Sequence, residues 1–427
     1  MAPLDPHLPA HQIAAPELPS HEARDEARIG LYVHVPFCAV SCTYCDFSKG
    51  RLSLAAQERY LAALEREARD RARDARGVRF TSVFLGGGTP SALAPHAFAR
   101  LWSALRGAFE LEPGAEITLE ANPESVGPRR LAAWAAAGVN RLSMGAQSFD
   151  SAELRMLGRM HDPERVGKAV WLARSSGFRR LSVDLMFGFP DHDAARWSRT
   201  LDRALELEVE HLSAYCFTAE PGTPLGEEIR MERRALPDDA VQANLYAMLV
   251  ERAERAGLVP YETSNFARPR GEARHNLTYW LVRPSLGLGP SAHGLWRGAR
   301  HANHRSLSRW ATAIEHGAGA VAEIELPDPR RHAREVMMLG LRLATGLDAH
   351  DHAPEVWRSL VAVYGDALAR GVARGRLEQV DESLRIPAAH RFVADDVIAW
   401  IEARASRSGV DSATSGFLTS VVPCPKP

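Results

Sequence analysis

The chain has no apolar run near the roughly 20 residues that crossing a bilayer requires. Residues 1–28, rich in Pro, His, Ala and Glu, lack the basic start and apolar stretch of a signal peptide. These absences point to a cytoplasmic protein with no integral membrane segment. A dominant charge is also missing: 52 Lys and Arg stand against 53 Asp and Glu, a formal net charge of -1. No whole-molecule field therefore draws the protein to nucleic acid or to an anionic membrane. Cysteine is scarce, with five in 427 residues: Cys38, Cys42 and Cys45 close together, Cys216 and Cys424 alone. That is poor material for a disulfide framework and better suited to metal binding in a reducing compartment.

The length exceeds one ordinary core, so one large domain and a smaller one are expected. Residues 1–28 and 406–427 show no sustained period and read as a flexible leader and tail. Between them, short apolar runs at Leu31–Phe37, Thr81–Gly86, Glu116–Ala121, Arg141–Gln147, Leu181–Phe187 and Leu212–Phe217 read as six strands. They alternate with helical spacing over Ala55–Ala75, Ala97–Phe109, Arg129–Ala137, Arg165–Ser175 and Ala195–Leu207, followed by a helix near Asp238–Ala256. Alternation of this kind builds a parallel sheet, either open and doubly wound or a complete or partial barrel, and periodicity does not choose between them. In either form the functional rim lies at the C-terminal ends of the strands. Charged residues of alternating sign from Glu65 to Arg79 read as the solvated face of a helix.

A Gly- and His-rich connecting region is expected over 259–325. From about Leu326 to 405 the order of helix, helix, two short strands around Leu377 and Leu384, and a last helix from Phe392 resembles a winged helix. It carries no dense basic recognition helix, so a structural or partner-docking role outweighs nucleic-acid binding.

Cys38, Cys42 and Cys45 form C-x3-C-x2-C directly after the first strand, where a functional loop belongs. Three thiolates on one loop can hold three corners of a cubane cluster and leave the fourth iron open. Zinc is the competing reading, but it usually takes paired C-x2-C units and a fourth ligand, and no second pair occurs. Other polar or Gly-rich groups fall at strand ends: Gly86–Pro90 after the second strand, Glu120 at the third, Gln147 at the fourth and Asp184 in the fifth. Each alone is more often a tight turn, a cap or a satisfied core group. Their delivery to one rim by successive strands is what singles them out.

With Tyr44 just before the last cysteine, this constellation resembles the radical SAM superfamily. The resemblance implies an α/β fold, a partial (β/α)6 barrel over 29–258, with a [4Fe-4S] cluster on Cys38, Cys42 and Cys45. It also implies S-adenosylmethionine bound through Tyr32, Tyr44, Gly87, Gly88, Thr89, Glu120, Gln147, Arg159 and Asp184. Oxygen-independent coproporphyrinogen III oxidases carry a fourth cysteine two residues after the third; here Cys45 is followed by Asp46 and Phe47. This form, together with His275-Asn276-Leu277-Thr278-Tyr279-Trp280, is similar to the HemW heme chaperone family. That similarity implies heme as a third cofactor, with His275 offering its imidazole to iron, Tyr279 on the same helical face and Trp280 packing on the macrocycle. A lone His is usually structural, and His301 and His304 read as ordinary surface residues. The implied partners are heme, acceptor hemoproteins and an electron donor, and a homodimer stays open. The alternatives are oxidative decarboxylation of coproporphyrinogen III, or radical chemistry on an unrelated substrate. Arg385-Ile386-Pro387-Ala388-Ala389-His390 departs from the family's usual wing before the last helix.

Overall fold

The computed structural model describes residues 29–46 and 50–405; the expected leader 1–28, the expected tail 406–427 with Cys424, and Phe47 lie outside the described residues. Six strands form as the alternation predicts: β1 Gly30–Val35, β2 Arg79–Gly87, β3 Glu110–Ala121, β4 Arg141–Gln147, β5 Arg180–Phe187 and β6 His211–Cys216. They lie side by side in chain order and pair parallel throughout. Helices Leu54–Asp74, Pro95–Ala108, Pro128–Ala136, Pro163–Ser175 and Ala194–Leu205 carry the crossovers, and Asp239–Arg255 follows β6. Several start at capping residues: the side chains of Ser53, Asp162, Asp193 and Asp238 each accept from a first-turn N–H. With helices covering one face and strand side chains packed on the other, the strands read as buried apolar runs. Leu31, Val33, Leu85, Leu119, Leu142 and Val183 are fully buried.

The sheet does not end with these six. Residues 259–325, expected as a connection, add β7 Val259–Pro260, β8 Asn265–Ala267, β9 Ser285–Leu288, β10 His293–Trp296, β11 Ala299–Asn303 and β12 Val321–Glu325. The order runs β12-β11-β10-β9-β1-β2-β3-β4-β5-β6-β8-β7, one mostly parallel core strip with antiparallel wings, and no pairing among the described residues closes it. β9 pairs parallel with β1 on the edge away from β2. These strands are too short for a period-2 pattern to show, which is why periodicity passed over them. Gly294 explains one close approach: a Cβ there would lie 2.3 Å from the His301 ring and 2.6 Å from the Ser285 carbonyl oxygen. His301, expected at the surface, is buried in β11.

The C-terminal unit comprises helices Pro329–Gly340, Pro354–Ala373 and Ala394–Glu402 around a small antiparallel sheet of Leu347–Asp348, Ser383–Arg385 and Glu378–Val380. It has its own core, including Val336, Met337, Trp357, Leu360, Leu384 and Ile398. The strand at Leu347 is an addition to the expected pattern. No helix among the described residues is long and apolar enough to cross a membrane.

Candidate functional site

The loop leaving β1 carries Cys38, Cys42 and Cys45, all half-buried and none in a disulfide. Its path is fixed by neighbours rather than by its own bonds. The Thr43 amide donates to the Leu157 carbonyl oxygen (3.2 Å), its hydroxyl donates to the Met156 carbonyl oxygen (2.7 Å), and its carbonyl accepts from the Leu225 amide (2.9 Å). The Thr89 hydroxyl reaches Cys38 Sγ at 3.6 Å, and an Arg159 guanidinium nitrogen reaches Cys42 Sγ at the same distance. The thiols edge a cavity of ≈ 440 Å³ at the C-terminal ends of β2 to β6. Among the described residues no three His, Cys, Asp or Glu side chains gather closely enough to hold a single metal ion.

Gly87 and Gly88 form one wall of that cavity, and both positions demand glycine. Gly87 has φ of 108°, and a Cβ on it would meet the His34 ring at 2.6 Å. A Cβ on Gly88 would lie 2.8 Å from the Phe37 carbonyl oxygen, so a side chain there would push against the cysteine loop's own backbone. Beside them stand two buried carboxyl groups, Glu120 and Asp184. Glu120 is pushed up to about 8 by burial and by the neighbouring Asp184 carboxylate, against a hydrogen bond from the Gly87 amide at 3.1 Å. Asp184 is raised by burial in turn, although the hydroxyls of Ser213, Ser143 and Ser182 and the charge of Arg141 favour its ionised form. A cationic ligand beside this pair would favour the ionised form of Glu120 and relieve its repulsion with Asp184.

Arg159 spans the site. It donates to the Asn122 side-chain oxygen at 2.7 Å and to the Gly145 carbonyl oxygen at 2.6 Å, while its buried Nε has no hydrogen-bond partner. Gln147 sits at a β-bulge of β4 in the left-handed region, with φ of 66°, a conformation that swings its side chain back over Gly145. The Tyr44 hydroxyl is raised by burial, with Arg159 opposing the shift.

Of the residues singled out from sequence, Cys38, Cys42, Cys45, Tyr44, Gly87, Gly88, Thr89, Glu120, Gln147, Arg159 and Asp184 line this cavity. Tyr32 does not. It borders a second, larger cavity of ≈ 1610 Å³ that shares Cys45, Gly87 and Glu120 with the first, and its hydroxyl shares a 3.0 Å hydrogen bond with His34 Nδ1. Sequence reasoning passed over Asn122, Ser143 and Cys216, which also line the smaller cavity. The strand-end rule alone would have found Asn122 and Cys216, just past β3 and at the end of β6. The Cys216 thiol bonds the Gln242 side-chain oxygen at 3.0 Å and is pushed up to about 11 by burial, so it is no thiolate at neutral pH.

His275 lies apart from both cavities, 1% exposed in the helix Arg274–Trp280. Its Nδ1 shares a 2.9 Å hydrogen bond with Ser82 Oγ and its Nε2 a 2.8 Å hydrogen bond with the Tyr279 hydroxyl. Burial pushes its pKa down to about 3, and in this arrangement no ring nitrogen is presented to open space. Tyr279 does reach the larger cavity; Trp280 lines neither. His304, expected as a surface residue, lines the larger cavity.

A radical SAM superfamily profile matches residues 32–204, and the HemN C-terminal domain profile matches 328–393. The solved structure of coproporphyrinogen III oxidase (HemN) from Escherichia coli superposes with a TM-score of 0.77 at 24% identity, covering 89% of this chain and 91% of that one, a likeness of fold. The heme chaperone HemW of Mycobacterium tuberculosis is 34% identical over 385 residues, 90% of this chain and 97% of the relative. The heme chaperone HemW of Bacillus subtilis is 30% identical over 369 residues, 86% and 97%. With relatives of that identity aligned over nearly their whole length, and the cysteine loop and glycine turn sharing one cavity, the chain belongs to the HemW family of the radical SAM superfamily.

Proposed function

We propose that this protein is a cytoplasmic heme chaperone that holds a [4Fe-4S] cluster on Cys38, Cys42 and Cys45, binds S-adenosylmethionine beside it, and passes heme to acceptor hemoproteins. The observation that carries the reading is the pair of adjoining cavities. One has the dimensions of a nucleoside-sized ligand and the other, at ≈ 1610 Å³, admits a macrocycle; both border Cys45. The donor set suits a cluster: the three thiols stand along a cavity rim rather than converging as a lone ion's ligands would. The Gly87–Gly88 backbone, Glu120, Asp184, Gln147 and Thr89 would hold the methionyl and ribose ends, and the fork of Arg159 would orient a carboxylate. When bound, such a cluster supplies one-electron chemistry, which calls for an electron donor as partner. The chain's own part is to position the ligand, exclude water with Tyr44 and the segment Cys216–Glu220, and keep Glu120 able to trade a proton. The C-terminal unit over 326–405 serves as a docking surface for partners, and a homodimer is compatible with it.

The test is anaerobic reconstitution with iron and sulfide, then hemin titration, transfer to an apo-hemoprotein, and a coproporphyrinogen assay on the same preparation. Stoichiometric hemin binding with transfer is the expected result. Protoporphyrinogen accumulating with reductant present would replace the chaperone by a decarboxylase.

A further inference from the structure

The helix Arg274–Trp280 separates two roles within four residues. His275 is packed so tightly that its ring has nowhere to turn: Phe84 stacks on it at 5.2 Å between centroids, and a Cβ on Gly30 would come within 3.0 Å of its Cε1. One turn later, Tyr279 stands edge-on to that ring, centroids 5.0 Å apart and planes at 84°, and is 38% exposed to the larger cavity. A neutral imidazole has one N–H and one lone pair. If Ser82 Oγ–H donates to Nδ1, Nε2–H donates to the Tyr279 oxygen, so the phenol oxygen is held in place with its own hydrogen turned away from His275. An aromatic hydroxyl fixed in this way at a cavity wall has the chemistry of an oxygen donor to a hard metal centre.

The rest of the cavity suits an anionic macrocycle. Arg305 and Arg309 are exposed along its edge, placing cationic groups where carboxylates would emerge, and His304 lies beside them. The acidic groups that face the same space are Asp46, Glu120 and Glu323.

We propose that Tyr279, rather than His275, is the protein ligand to the iron of ferric heme in the larger cavity, and that His275 is a positioning residue acting through it. This rests on the heme reading above. Coordination exchanges the phenol O–H bond for an Fe–O bond. The phenol proton leaves to solvent at the open side of the cavity, and His275 stays neutral, its Nε2–H still donating to the oxygen. His293 also lines the cavity and is exposed, which makes it the rival donor.

The experiment titrates hemin into the full-length chain and its variants, read by visible absorption and resonance Raman, with circular dichroism to verify folding. The wild type is expected to give the charge-transfer band and ring modes of an iron-bound phenolate. Tyr279→Phe keeps the ring in place, loses that signature and weakens binding about tenfold or more. Tyr279→His recovers affinity with an imidazole-ligated spectrum, and His275→Gln keeps the phenolate band but displaces it. A wild type that binds hemin without phenolate features overturns this assignment alone, as does loss of ligation in His293→Ala with Tyr279→Phe unaffected. A wild type that binds no hemin overturns the heme reading beneath it.

Discussion

Glu67 offers the sharpest test of how the walls of the larger cavity are held. It is fully buried in the helix Leu54–Asp74, 3% exposed, and its carboxylate accepts from the Gly289 amide at 2.8 Å, the Asn303 side chain at 2.6 Å and the Trp310 indole at 3.2 Å. It therefore ties the first helix to the turn after β9 and to the end of β11, whose Asn303 lines the cavity. Burial nevertheless wins over those bonds and raises its pKa from 4.5 to about 7. A raised acid means the folded state binds more protons than the unfolded one between those two values. Stability contributed by this group is then greatest below 4.5, falls as pH rises through the window, and reaches its minimum above about 7. At about 1.4 kcal/mol per pH unit, the interval from 4.5 to about 7 amounts to roughly 3 kcal/mol. Glu67→Gln removes the titration. Urea unfolding of apoprotein and variant at about pH 5 and about pH 8, followed by tryptophan fluorescence, should shift the difference between them toward the variant by about 2.5 kcal/mol at the higher pH, the part of the window above pH 5. The variant gives up one acceptor at both pH values, so the change in the difference is the quantity that matters. Parallel profiles for the two proteins would refute the reasoning.

Each of Cys38→Ala, Cys42→Ala and Cys45→Ala should reduce iron and sulfide after anaerobic reconstitution to background, whereas Cys216→Ser, whose protonated thiol already serves Gln242, should leave both unchanged. Gly88→Ala should weaken S-adenosylmethionine binding by about tenfold or more in equilibrium dialysis, because its Cβ would meet the Phe37 backbone at 2.8 Å. Arg159→Lys should cost about tenfold in the same assay. One ammonium cannot serve the Asn122 oxygen, the Gly145 carbonyl and Cys42 together, so the charge alone does not rescue the site.

What could be read in advance follows from what repeats. The parallel strip was legible because its strands are largely buried apolar runs and three of the five crossover helices begin at a Ser or Asp cap, signals that recur along the chain. The site was legible where chemistry needs a residue type at a rim: three thiols, glycines under a close approach, carboxylates at strand ends. Elsewhere the meaning of a residue depends on a partner far along the chain. Glu67 falls in a charged stretch that reads as solvated, and only the strands at 285–303, more than 200 residues away, turn it into a buried acceptor. The pattern of charge says which residues can face water, and tertiary packing decides which one does not. The same logic separates His275 from Tyr279. As a string the pair looks like a histidine ligand with an aromatic neighbour, but Gly30, Ser82 and Phe84 come from strands β1 and β2 and close over the imidazole, leaving the phenol as the group with access. A motif thus fixes which side chains share a helical face, while the elements packed against that face determine which of them meets the ligand.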